Sequence, residues 1–264
     1  MPVQKTKAIV LGYHSLGEAD RIVTFYTRDF GKIRAVARGV RKVRSKLMGR
    51  LEILTCGDLV FFERMNKDLH IVNSFDIIEP FQVLREDLLK MAYCSYIAEL
   101  IQQVEFEGEV DADTFDLVLK IMFMMKAVDD PEILARTFEI RFLTSAGLSP
   151  QLDSCVACTR HIEGQNPQKL RFNIARGGVL CSKCSQSDSY AISVSRGTLE
   201  LMKRIQQSPL ELIPRLRLLE VARRELRKIL SSFISFHTDS RRLRSLDFLA
   251  SIERDQSLRG SISL

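Results

Sequence analysis

Four cysteines in two short pairs constrain this chain more than any other feature. Cys155-Val-Ala-Cys158 and Cys181-Ser-Lys-Cys184 are two C-x2-C knuckles separated by 22 residues. Each knuckle presents two thiolates from one tight turn, and zinc takes four such soft ligands in a tetrahedron. The spacer is slightly longer than is usual for paired knuckles, and one extra loop turn accommodates it. Gly177 and Gly178 stand just before the second pair, where the backbone must pass close to its neighbours. A thioredoxin-like redox pair calls for one C-x-x-C at a strand-to-helix junction, and a catalytic zinc keeps one position open to water. Neither pattern fits four cysteines in one irregular segment. His161 could replace a thiol, but the tetrad already completes the set. The reading is one structural Zn2+ per chain held by Cys155, Cys158, Cys181 and Cys184. Cys56 and Cys94 have no partner motif and read as small buried apolar residues.

Metal ligation rather than disulfide bonding also follows from the expected compartment. No stretch approaches the roughly 18 apolar residues that a membrane span needs. Ala8-Ile9-Val10-Leu11 is too short for a signal-peptide core, so the expected location is the cytoplasm, where thiols stay reduced.

The rest of the chain changes texture twice. Residues 1–80 carry short β-branched and aromatic runs: Lys7 to Leu11, Ile22 to Tyr26, Ile33 to Ala37, Leu59 to Phe62 and Leu69 to Ile78. Asp29-Phe30-Gly31-Lys32 supplies a turn between two of them. Five strands without long helices suit a small barrel, of OB or SH3-like type. After Pro80, Leu84, Leu88, Met91, Ala92, Tyr96 and Leu100 mark an amphipathic helix. Phe115 to Met125, apolar nearly all round, predicts a buried one. Asp130-Pro131 is a cap and first-turn pair for a third helix ending at Gly147. Residues from about 149 to 190 lack helical periodicity and hold the tetrad. Helices return around Leu199, Met202 and Ile205, from Pro214 to Phe236, and from Asp239 to Leu249. The fold expected is α+β and multidomain: a five-stranded barrel over residues 1–80, then a helical domain over 81–264 with the zinc module inserted at about 149–190.

Charge is as unevenly spread as structure. The net charge of +6 divides into +5 over residues 1–80, −7 over 81–150 and +8 over 151–264. From Lys32 to Arg50 there are eight basic residues and no acidic one. That density matches a phosphate-binding surface, with Lys32, Arg34, Arg38, Arg41, Lys42, Arg44 and Lys46 as the candidate contacts. Tyr13, Phe25, Tyr26, Phe30, Phe61 and Phe62 are rings on which bases could stack, although most belong inside a barrel. A second basic set, Arg215, Arg217, Arg223, Arg224, Arg227 and Lys228, has acidic partners at Glu220 and Glu225 and reads equally well as an ordinary charged helix face. The acidic run from Glu105 to Asp113 looks like a helix–helix loop without metal spacing. No Walker-type phosphate loop, H-E-x-x-H or G-x-S-x-G motif is present, so nothing points to catalysis or a small-molecule substrate.

Gly17-Glu18-Ala19-Asp20-Arg21-Ile22-Val23-Thr24, Gly31-Lys32, and Ala35-Val36-Ala37-Arg38-Gly39-Val40-Arg41-Lys42 resemble the N-terminal signature of the RecO family. Leu148-Ser149-Pro150-Gln151-Leu152-Asp153-Ser154-Cys155 and Gly177-Gly178-Val179-Leu180-Cys181 are similar to that family's zinc segment. The resemblance implies an N-terminal OB-fold, a helical body carrying the zinc module, and a nucleoid-associated DNA repair and recombination role. It further implies binding of single- and double-stranded DNA, annealing of complementary strands, and loading of RecA on DNA coated by single-stranded DNA-binding protein (SSB). RecR, sometimes RecF, and the acidic, Phe-ending SSB tail are the implied partners, with no membrane involved. The competing reading is a zinc-ribbon protein that binds RNA or serves transcription.

Overall fold

The computed structural model describes residues 1–64, 69–104, 108–162, 170–238 and 243–252. Two compact units divide them: Met1–Ala127 with the terminal segment from Leu243, and Val128–Arg242. The first three helices thus group with the barrel.

In the first unit, β1 (Val3–Leu16), β2 (Asp20–Thr27), β3 (Gly31–Ala37), β4 (Cys56–Phe62) and β5 (Leu69–Glu79) form a closed barrel in the order β1-β2-β3-β5-β4. β1 closes it by pairing with β4 through Val3 to Ile9 and with β2 through Ala8 to Leu16. A bulge between Val10 and Gly12 bends this one strand so that it serves both neighbours. The parallel β3–β5 pair, Arg34 opposite Leu69 and Val36 opposite Ile71, gives the OB order. Alternation explains the interior. Ile33, Ala35 and Ala37 point inward with Ala8, Val10, Val23, Phe25, Leu59, Phe61 and Phe75, while Arg34 faces solvent. Gly57 cannot be anything larger: a Cβ there would lie 2.5 Å from the Asp76 carbonyl oxygen of β5.

The helix expected across Leu84 to Leu100 is two helices, α1 (Gln82–Glu86) and α2 (Leu88–Val104). Asp87 breaks it. Its backbone is extended, and its carboxylate accepts from the amides of Leu89 and Lys90 at 3.0 and 3.1 Å. α3 (Ala112–Met125) starts at Asp111, whose side chain accepts from Thr114 N. It buries Phe115, Val118, Ile121, Met122 and Met125 but leaves Phe123 exposed, so it is amphipathic rather than buried all round. A short helix over 244–252 returns to this unit, where Glu99 of α2 accepts from the amides of Arg244 and Ser245. Residues 239–242, where the sequence reading began that helix, lie outside the described set.

In the second unit, α4 (Pro131–Ser145) starts at the Asp130 cap with Pro131 in its first turn, and Gly147 follows it at a φ of +74°. Twelve of its fifteen residues are buried, so its charged side chains must find partners inside. It packs against α5 (Arg196–Gln207) and α6 (Glu220–Thr238). α6 starts six residues later than the sequence predicts. Pro214 sits inside a 3-10 turn, Leu210–Arg215, and Leu216 then goes extended. Arg215 and Arg217 therefore lie off the helix. The segment without helical periodicity holds a three-stranded sheet in the order β7-β6-β8, made of β6 (Arg171–Asn173), β7 (Gly178–Leu180) and β8 (Ile192–Ser193).

Candidate nucleic-acid interface and metal centre

The basic stretch leaves the barrel at the end of β3 and forms an ordered loop. A chain of tight turns runs through it: Lys42 N to Gly39 O, Ser45 N to Lys42 O, Met48 N to Ser45 O and Arg50 N to Leu47 O, at 2.9–3.2 Å. Val40, Leu47 and Leu51, each under a tenth exposed, pin it to the barrel core. The β1–β2 turn braces its start. Asp20 accepts from Gly39 N at 2.7 Å, Arg41 N donates to Ala19 O, and the Arg41 guanidinium donates to Gly17 O. With Val40, Leu47 and Leu51 turned inward, the loop displays Arg38, Arg41, Lys42, Arg44 and Lys46 to solvent. Among the described residues, no carboxylate pairs with Arg38, Lys42, Arg44 or Lys46. The nearest ion pairs, Arg21–Glu52 and Arg50–Asp76, lie at the margins. Arg34 is exposed on β3. Lys32 has a different neighbourhood, since it is half-buried and its ammonium donates to the Gln102 carbonyl of α2 at 2.6 Å.

The aromatic side chains are mostly spoken for. Phe25, Tyr26 and Phe61 are buried, Phe30 packs edge-on against Phe61, and the Arg21 guanidinium covers Tyr13 at 4.0 Å. Phe62 is half-buried.

In the second unit the four cysteine sulfurs lie within 4.8 Å of one another. Their positions come from the backbone. Thr159 N donates to Cys155 O, with Thr159 at a φ of +59°, and Ser185 N donates to Cys181 O. Val156 N donates to Val179 O and so ties the first knuckle to β7. Gly178 makes this approach possible, because a Cβ there would sit 2.5 Å from both the Gln151 carbonyl oxygen and Val156. A tetrahedral site with metal–sulfur arms of about 2.3 Å has edges of about 3.8 Å, and Cys158 Sγ lies 3.8 Å from Cys181 Sγ. Burial raises the Cys155 thiol, but the amides of Cys181, Ala157 and Cys158 outweigh it and bring the thiol down to about 6. Cys181 is lowered in the same way against its burial, by the amides of Cys184 and Lys183. Cys184, hydrogen-bonded to the Cys158 and Cys181 thiols, is pushed up to about 12. The thiolate form so favoured at Cys155 and Cys181 is the form in which cysteine ligates a metal. The tetrad is in position to bind a metal, and it stands on the fold through Phe172, whose ring meets Phe233 of α6 edge-on at 5.9 Å.

The chain matches the family Recombination protein O N terminal over residues 1–81 and Recombination protein O C terminal over residues 85–247. The chain belongs to the RecO family. Relatives named DNA repair protein RecO include those of Pelotomaculum thermopropionicum, 34% identical over 249 residues covering 94% of each chain, and Syntrophus aciditrophicus, 33% identical over 252 residues covering 95% of this chain and 96% of the relative. It is thus a RecO-family DNA repair protein, with the barrel and cysteine cluster that its sequence leads one to expect. Among the described residues, no helix is long and apolar enough to cross a membrane.

The second basic set in this RecO chain divides. Arg223 donates to Asp130 at 2.7 Å and to Glu132 Oε2, and Arg227 donates to both Glu132 oxygens, sharing Oε2 with Arg223. Glu132 is fully buried on α4 beside Arg136, which pairs with Glu139 at 2.8 Å. Burial pulls the Glu132 carboxyl upward, but Arg227, Arg136 and Arg223 together hold it below its ordinary value. Arg224 and Lys228 remain exposed. Glu225, read from sequence as a partner for this set, instead accepts from the Ser195 hydroxyl at 2.8 Å. Sequence reasoning missed this network because its members lie about ninety residues apart. The available signal was an acid inside a largely apolar helix. His161 bridges Ser154 through the backbone, and Cys56 and Cys94 are buried and pushed up to about 11 and about 12 by burial.

Proposed function

We propose that this RecO-family protein is a non-catalytic mediator that binds DNA on its barrel, anneals complementary strands, and with RecR, sometimes RecF, loads RecA on SSB-coated DNA. The observation that carries the reading is the braced, acid-free cationic loop. Two complementary strands repel through their phosphates, and a surface that holds both lowers this barrier while bases search for register. No bond is broken, so no catalytic residue is required. Arg34, Arg38, Arg41, Lys42, Arg44 and Lys46 are the phosphate contacts, with Lys32 at the strand base where α2 meets the barrel. Such a protein works beside the chromosome in the cytoplasm.

The metal is zinc, held by Cys155, Cys158, Cys181 and Cys184. With four thiolates it has no open position, so its contribution is to folding. The acidic SSB tail finds a suitable place in the slot of about 330 Å³ between α5 and the segment before α6. Leu201, Leu216, Leu219 and Ala222 line this slot, and Arg204 and Arg217 stand beside them.

One experiment tests these parts together: annealing of complementary oligonucleotides, bare and SSB-coated, alongside binding affinity against salt. A triple Arg38→Ala, Arg44→Ala, Lys46→Ala variant should anneal neither substrate, and its log–log salt slope for single strands should fall by about 0.7 per lost contact. Arg204→Glu should anneal bare strands normally and fail on coated ones. A triple variant with unchanged affinity and slope would falsify the DNA assignment. A wild type that anneals bare RNA but no SSB-coated DNA favours the RNA-binding alternative.

A further inference from the structure

The apolar residues of the cationic loop fall into two sets. Val40, Leu47 and Leu51 are 3%, 8% and 1% exposed and anchor the loop to the barrel core. Val43 is 88% exposed and Met48 56%. Among the described residues, Val43 in particular adds little to packing, because the turns and the three anchors already hold the loop. Val43 stands between Lys42 and Arg44, both exposed, with Arg41 and Lys46 two and three residues away.

An apolar side chain surrounded by cations is a poor match for an ordinary protein surface. It suits a polymer in which anionic groups alternate with flat apolar faces, as phosphates alternate with bases. In a duplex those faces are stacked and covered, whereas in a single strand they are open. Aliphatic side chains can wedge even between the stacked steps of a duplex, at an unstacking cost of a few kcal/mol per step, a cost that a single strand with open bases largely avoids. Five of the six candidate rings are buried (Phe25, Tyr26, Phe61), packed on another ring (Phe30) or covered by Arg21 (Tyr13), and the sixth, Phe62, is half-buried on β4.

We infer that Val43 packs against a nucleobase of a single strand whose phosphates are held by the cations on either side. The inference rests on the DNA-binding reading and deepens it: the loop separates adjacent bases and presents their pairing edges to a second strand. Met48 is the second apolar position available for a neighbouring base. The cations then provide attraction without regard to strandedness, and Val43 provides the preference for single strands.

The test uses the full-length protein and a single-stranded oligonucleotide carrying 2-aminopurine, whose fluorescence rises when base stacking is lost. Binding is titrated at several salt concentrations, with a duplex of the same sequence in parallel. Val43→Ser should weaken single-strand binding about three- to tenfold, reduce the fluorescence rise, and leave both the salt slope and duplex affinity unchanged. Val43→Trp should tighten single-strand binding, since a ring stacks more fully than an isopropyl group, while that same stacking quenches the 2-aminopurine and shrinks the fluorescence rise. Val43 is almost fully exposed, so neither change should disturb folding, and matching thermal melts check this. The inference fails if both variants bind and fluoresce like the wild type. It fails too if Val43→Ser weakens duplex and single strand alike, since the loss is then one of phosphate geometry. If Val43→Ser leaves oligonucleotide binding intact but abolishes capture of a protein partner, the position belongs to a protein interface and the inference is overturned. A wild type with no affinity for any oligonucleotide at low salt is a distinct result, which removes the DNA-binding reading itself.

Discussion

Two basic stretches of similar composition meet different fates in this molecule. In the loop after β3, the cations are the outward half of a structure whose inward half is apolar, and no acidic residue interrupts them between Lys32 and Arg50. On α6, Arg223 and Arg227 turn toward α4 and close on the buried Glu132. The difference lies in what each stretch folds against. A strand-to-strand loop anchored by Val40, Leu47 and Leu51 leaves its cations exposed among the described residues. An amphipathic helix laid on a buried helix brings its border residues against whatever that helix carries. Cationic density along a sequence therefore indicates a binding surface only where the opposing element supplies no acids.

The largest effect expected from the contrast concerns metal. With zinc in the tetrad, a strong chelator, or Cys181→Ser, removes on the order of 10 kcal/mol of binding free energy that is also folding energy. Val128–Arg242 should lose its cooperative unfolding transition, seen by circular dichroism and hydrogen exchange. The barrel amides should stay protected, and oligonucleotide affinity should stay near that of the untreated protein. If affinity collapses while the barrel remains protected, the zinc module itself touches DNA, and the division between a binding unit and a structural unit breaks.

Next in size is the α4–α6 network. Glu132→Gln removes the anion that Arg136, Arg223 and Arg227 share, leaving the buried Arg136 its pairing with Glu139 while Arg223 and Arg227 are partly exposed. Breaking such a buried pairing costs about 3–5 kcal/mol, measurable as a lower midpoint in urea. The acid dependence follows from the same group. Because the folded protein holds Glu132 below its ordinary value of 4.5, the stabilisation is fully present above that pH. It is lost as pH falls through the lower, native-state value. Glu132→Gln should therefore lower stability at neutral pH and flatten its decline in acid. A variant as stable as wild type at neutral pH, with the same acid limb, would make Glu132 a passive member of the core.

Much of this was legible from the residues because the signals are local. Alternation in Ile33-Arg34-Ala35, the turn at Gly31 and the two C-x2-C spacings each lie within a few residues, and the barrel strands and the sulfur cluster follow them. The OB strand order was not legible in the pattern, because pairing of β5 with β3 is a long-range choice. Neither was the break at Asp87, where hydrophobic periodicity runs straight through and a single carboxylate capping Leu89 and Lys90 decides the outcome. The late start of α6 was hidden for a related reason, since Pro214 reads as a first-turn residue of an α-helix but sits in the last turn of a 3-10 segment. The exposure of Val43 against the burial of Leu47 has no local signal, as both are aliphatic residues among cations.

The smallest expected effect probes the comparison at its weakest place, the outward face of α6. Arg224 and Lys228 are exposed and one helical turn apart, the spacing at which two side chains share a face. If α6 is a structural helix, the double change to Ala leaves protein stability within about 0.5 kcal/mol of wild type. It also lowers the log–log salt slope for single strands by less than the roughly 0.7 that one lost phosphate contact would produce. The physical reason is that Glu220 and Glu225 neighbour them in sequence and lower the local potential, whereas Arg44 and Lys46 have no such neighbour. A slope reduced by about 1.4, the value for two contacts, would make α6 a second phosphate track. Annealing would then use two surfaces on two compact units, one for each strand, and the barrel loop would account for only half of it.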